Sequence, residues 1–220
     1  MRVSTFVRSL FVLTLALFLA DGPVFAKTGE EAARRLLEKV SSRKGAAGFS
    51  ARFSQESPLK AIGVVEKASG RVWFKKPGRV RWEYELPEPM VYVSDGTLLW
   101  VYSPEGNQVW MGAADAFFGE SGGARILSDL TQVSRRFSLF LEGRERGFLK
   151  VLLTPKSDGD AVSRVDLLVD PESYDIVESR SVRRVGDETT LRFSAITPEV
   201  LPDEHFEFTP PEGAVVTPLQ

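Results

Sequence analysis

The chain has no cysteine and only one histidine, His205. Without cysteine there is no disulfide framework, so the core must hold itself together by packing even in an oxidising compartment. One histidine, with no companion at ligand or nucleophile spacing, gives no support to a histidine-based metal centre or a general-base site. Charge of neither sign dominates: 28 basic residues face 30 acidic ones, for a net charge of -2. No basic patch stands out, which argues against nucleic acid as a direct partner. Long apolar runs are also missing. The one candidate, "FVLTLALFLA", is too short to span a bilayer comfortably. It follows Arg2 and Arg8 and leads into "VFA", with Val24 and Ala26 at the positions a signal peptidase reads. We expect residues 1–26 to be a secretory signal peptide and 27–220 to form a single domain. No cysteine follows that signal to receive a lipid, so the expected product is an exported soluble protein and not a lipoprotein.

Aromatic residues are plentiful: fifteen Phe, four Trp and four Tyr. Trp73, Trp82, Trp100 and Trp110 all fall in the first half of what reads as a sheet. "TGEEAARRLLEKVSSRKG" predicts a helix, with Thr28 and Glu31 as a capping box and Gly45 or Gly48 as the stop. Ala33, Leu36, Leu37 and Val40 repeat on one face of it. From residue 47 the period changes to two. "RVRWEYEL" alternates strictly, with Val80, Trp82, Tyr84 and Leu86 on one face and Arg79, Arg81, Glu83 and Glu85 on the other. "MVYV", "SDG" and "TLLWVY" predict a hairpin. Both faces of "TLLWVY" are apolar, so the pattern leaves open whether Leu99 and Val101 or Trp100 and Tyr102 face inward. The middle, "AADAFFGESGGARILSDLTQVS", loses alternation and suits two short helices around a Gly-rich loop. Strands then resume to "HFEFTPPEGAVV", read as a last short strand and a Pro-terminated tail. About ten antiparallel strands and three helices make an α+β domain, in which an open sheet needs helices to cover its apolar face. The slot between sheet and helices is where a ligand would sit.

Catalytic signatures are thin. "GESGG" places Ser121 in a G-x-S-x-G pattern, but a nucleophile elbow requires a parallel strand running into the serine, and here a helical stretch precedes it. A hydrolase using Ser121 and His205 is the weakest of the readings weighed. "VDPESYD" clusters carboxylates in what reads as a hairpin loop, without the graded spacing of a calcium site. No cofactor is expected.

"FSARFSQ" at 49–55, "GRVWFKKPGRVRWEYELP" at 70–87, "VSDGTLLWVYSP" at 93–104, "LTP" at 153–155 and "FEFTPPEG" at 206–213 together resemble the periplasmic outer-membrane lipoprotein carrier family, the LolA-type chaperones. The resemblance implies an open antiparallel β half-barrel of about ten to eleven strands under a lid of about three α-helices. It implies a hydrophobic cavity for the acyl chains of lipoproteins, taken from an inner-membrane ABC-type release complex and delivered to an outer-membrane receptor of similar fold by a monomeric carrier. Alternative cargoes are another lipid or a glycolipid, or stray lipoproteins that the domain senses. A purely structural envelope protein is a further alternative. The expected lipid-binding residues are Phe49, Phe53, Val72, Phe74, Trp82, Tyr84, Val93, Trp100, Phe117, Phe118, Leu127, Leu130, Phe137 and Leu139. Members of the family usually carry Arg before the proline that ends one strand, where it ties the sheet to the helical lid. Here Lys76 precedes Pro77, a compact point donor in place of a planar fork.

Overall fold

A computed structural model describes residues 22–43, 48–60, 62–114 and 130–219. A long helix, α1 (Gly22–Arg43), comes first. Six strands follow: β1 (Phe49–Leu59), β2 (Val64–Lys75), β3 (Arg79–Leu86), β4 (Met90–Ser94), β5 (Leu98–Ser103) and β6 (Gln108–Ala113). A short helix, α2 (Leu130–Arg136), leads into β7 (Phe137–Glu145), β8 (Phe148–Pro155), β9 (Val162–Val169), β10 (Ile176–Arg183) and β11 (Glu188–Pro198). A 3-10 turn at Asp203–Phe206 and a last strand, β12 (Val215–Pro218), complete the chain.

All twelve strands form one open sheet in the order β12-β6-β5-β4-β3-β2-β1-β11-β10-β9-β8-β7. Every pairing is antiparallel except β12 on β6, which is parallel. At about 4.8 Å per strand, eleven spacings would spread a flat sheet over about 50 Å, several times the width of a helix. Yet Ala33, Leu36, Leu37 and Val40 of α1 share one buried cluster with side chains from both flanks of the sheet, including Leu99 and Val101 of β5 and Val151 and Leu153 of β8. The sheet is therefore rolled, with α1 in its concavity.

Several expectations change. Twelve strands lie among the described residues, where ten to eleven are expected. Two α-helices, not three, lie among the described residues. Residues 115–129, which include Phe117, Phe118, Ser121 and Leu127, fall outside them. α1 begins at Gly22, so Thr28 lies inside the helix and does not cap it; Pro23 stands in the first turn, where no intrahelical N–H bond is lost. β2 runs unbroken from Val64 to Lys75. Gly70 sits at a register shift in β2 and still pairs on both sides, with Phe53 and Tyr84. Asp203–Phe206 forms a 3-10 turn where a strand beginning at "HFEF" is expected, and the final strand comes later, at Val215.

Candidate functional site

The concave face is built from strand alternation. On β3, Val80, Trp82 and Tyr84 point inward, as the pattern predicts, while Leu86 is exposed at the strand end. Cross-strand partners share a face. Trp82 pairs with Val72 of β2 and Tyr92 of β4, and Tyr92 in turn with Val101 of β5. Phe53 stands edge-on to Trp82 at 4.7 Å and to Tyr84 at 4.9 Å between ring centroids. Phe74 and Phe193 approach Trp82 at 5.9 and 6.2 Å, and Phe49 stacks on Phe74 at 4.9 Å. Gly70 lies opposite both Phe53 and Tyr84, and its missing side chain leaves their rings room. On the far flank, Phe137 and Leu139 of β7 join the same buried cluster. The wall is thus mostly rings, rigid apolar area with few rotamers to freeze.

α1 seats its apolar face against this wall and lies alongside β7. The approach is close: a Cβ on Gly29 would run into the Phe140 ring. Near its C-terminus two cations hold α1. Lys76 Nζ donates to the Ser41 carbonyl at 2.7 Å and to Ser41 Oγ at 2.6 Å. Lys39 Nζ lies 5.3 Å from the centre of the Tyr174 ring, in the β9–β10 loop. A positive charge on the last turn also suits the helix dipole. The residue that the family resemblance singled out therefore does bridge sheet and helix, with an ammonium.

Two expected wall residues lie on the other face. Val93 pairs with Arg81 and with Trp100, both one position out of step with Trp82 and Val101. Leu99 and Val101 take the inward positions instead. A period-2 pattern with apolar residues on both faces cannot set this phase; the register with β3 does. The outer side is apolar because the C-terminal segment straps it. Trp73 packs with Leu201 and Phe206, Arg71 lies over the Trp73 ring at 4.9 Å, and Tyr102 meets Phe208 at 5.6 Å. Asn107 Nδ2 donates to the Glu212 carbonyl, and β12 completes the strap. Sequence reading missed this strap; the signal for it was the doubly apolar "TLLWVY". His205 belongs to the strap, 5.0 Å from the Trp73 ring, and Ser121 is outside the described residues. Leu130 lies in α2.

Polar groups on the concave face are few. Tyr84 OH donates to Gln55 Oε1 at 3.0 Å. Burial pushes the hydroxyl pKa of Tyr84 and of Tyr92 upward, so both are neutral at physiological pH. Toward the β1–β2 hairpin, Ser57 Oγ and Thr189 Oγ1 lie 3.2 Å apart. Two groups on this face, Trp82 Nε1 and Ser179 Oγ, have no hydrogen-bond partner among the described residues.

A rolled sheet with an aromatic inner wall, covered by the apolar face of a helix, defines a class of proteins that shelter apolar ligands in a half-barrel. Residues 44–209 match the family model described as outer membrane lipoprotein carrier protein LolA, and the chain belongs to that family. The outer-membrane lipoprotein carrier protein of Nitrosomonas europaea is 33% identical over 215 residues, 95% of this chain and 98% of that one. The protein of the same name from Alkalilimnicola ehrlichii is 31% identical over 208 residues, covering 93% and 92%. Among solved structures, an uncharacterized conserved protein from Thermus thermophilus superposes with a TM-score of 0.57 at 16% identity. It covers 86% of this chain and 99% of that one, a likeness of fold.

Proposed function

We infer that the protein is a periplasmic lipoprotein chaperone, binding the acyl chains of lipoproteins on its concave face and carrying them from the inner to the outer membrane. One observation carries the reading: in a chain of this family, a continuous aromatic wall lies under the apolar face of α1, which Lys76 ties down near its end. The wall would comprise Phe49, Phe53, Val72, Phe74, Trp82, Tyr84, Phe137 and Leu139, joined by Leu99, Val101 and Tyr92. Residues 1–26 would direct export and be removed, and the mature chain would work as a monomer. It would load from an ATP-driven release complex and unload onto a receptor of similar fold. Rings that offer surface and no nucleophile suit a carrier, not a catalyst. His205 lies in the outer strap, on the opposite face of the sheet from the wall.

Loading requires α1 to yield. Half-buried Tyr84, Met90, Tyr92 and Trp110 pack against the core that α1 caps, and acyl chains would extend this contact as α1 withdraws. To test the function, the mature protein is incubated with spheroplasts making labelled lipoproteins. We expect lipoproteins to appear in the supernatant bound to the protein. Retention of all label on the spheroplasts would refute the carrier function.

A further inference from the structure

The concave face carries one feature that a purely greasy wall does not need. Trp82 is 4% exposed, and its Nε1–H has no hydrogen-bond partner among the described residues. Buried indole N–H groups ordinarily find an acceptor. The rings around this one cannot supply it. Phe53, Phe74 and Phe193 have no acceptor atom, and the Tyr84 hydroxyl is directed to Gln55. An N–H against the face of Phe53 is a second-order attraction and does not replace a carbonyl. A second group of the same kind lies on the same face. Ser179 is 1% exposed, its Oγ is unpartnered among the described residues, and it pairs with the inward residues Leu167 and Leu191. Contact with hydrocarbon alone calls for neither polar atom: a Phe ring presents apolar surface without an N–H, and Ala is close to Ser in size without a hydroxyl.

We propose that Trp82 Nε1 is a carbonyl-recognition point, donating to the ester or amide carbonyl at the head of a bound acyl chain, with Ser179 Oγ as a second polar contact on the same face. This rests on the carrier reading of the site and adds a polar specificity to it. A lipoprotein's acyl chains are joined through carbonyls that are pure acceptors, and an indole N–H is a pure donor. The match fixes the depth of the chain. The carbonyl sits at Trp82, with the Phe53 and Tyr84 rings between it and Gln55 toward the β1–β2 hairpin. A site of this kind rejects an analogue lacking the acceptor, because the donor is then left unpaired.

The experiment compares two probes of equal chain length, a synthetic lipopeptide with two ester-linked palmitoyl chains and its dialkyl ether analogue without ester carbonyls. Dissociation constants are measured for the wild type, Trp82→Phe and Ser179→Ala. We expect the wild type to bind the ester probe about tenfold more tightly than the ether probe, the scale of one buried hydrogen bond. Trp82→Phe should abolish that preference, bringing the ratio of the two affinities to about one, and Ser179→Ala should reduce it. The ether probe controls for any loosening of the wall. Equal loss toward both probes, or no preference in the wild type, would overturn the carbonyl proposal and leave the carrier reading standing. A wild type that bound neither probe would overturn both.

Discussion

His205 sits where a neutral ring is favoured. Burial against Trp73 and Phe206 holds its pKa below the ordinary imidazole range, and the nearby Arg81 guanidinium adds to the effect. Glu83 and Glu199 oppose it weakly. In the unfolded chain the ring titrates near about 6.5. As pH falls through that value, the unfolded chain takes up a proton that the folded chain refuses, so stability falls. The contribution is intact above about pH 6.5 and is lost on acidification. His205→Gln removes this one titration. The urea midpoint of the wild type should therefore fall relative to that of His205→Gln between about pH 7.5 and about pH 5, a window that brackets the unfolded pKa; a constant difference across that range would refute the assignment. Gly70 carries a different residue-scale constraint. A Cβ there would collide with the Glu83 carbonyl oxygen, inside the β2–β3 ladder. Gly70→Ala must push the strands apart, and we expect a loss of about 3 kcal/mol in chemical denaturation, the upper range for overpacking.

Elements differ in how well the sequence announces them, and the reason is physical. β3 was legible because its charged and apolar faces separate cleanly, and Arg81 does donate to Glu83 on the outer side, at 2.6 Å. The α1 face of Ala33, Leu36, Leu37 and Val40 was legible for the same reason. β5 was not, because a tail far away in sequence buries its outer side, and no local pattern records such a partner. That is why the sequence pattern places Val93 and Trp100 inside and gives the strap only as a last short strand with a Pro-terminated tail. The Lys76 contact came from family resemblance alone; nothing in "FKKPG" points to Ser41. The strap makes its own prediction. Phe206 is fully buried with Trp73 and Leu201, and Phe206→Ala should destabilise the fold by about 3–5 kcal/mol. Amide exchange should accelerate first in residues 199–219 and their β6 partner, before the concave core. Uniform acceleration throughout would mean that the strap is not a separable element.

At the scale of the whole molecule the question is how cargo held by hydrocarbon contact is ever released. Each buried methylene contributes about 0.8 kcal/mol, so one chain of some fifteen methylenes reaches about 12 kcal/mol. Several chains would pass the practical ceiling of about 20 kcal/mol for non-covalent binding. A carrier that kept all of this could not deliver. In a carrier of this fold part of the gain would be offset, because α1 covers the wall with its own apolar face and would have to leave it when chains enter. The apparent affinity is then the intrinsic affinity multiplied by the fraction of molecules with α1 displaced. Under the proposed function Lys76 would set that fraction by holding Ser41, through charge-assisted hydrogen bonds of about 1.5–3 kcal/mol net at most. Lys76→Met keeps the side-chain length and removes the donor, so the displaced state becomes more populated. We therefore expect Lys76→Met to bind the ester-linked lipopeptide about tenfold more tightly than the wild type and to hand it on more slowly. Exchange in residues 36–43 should be faster and the sheet unchanged. Weaker binding by a folded Lys76→Met protein would mean that α1 takes part in holding the cargo, and that release is driven by something other than the return of the helix to its seat.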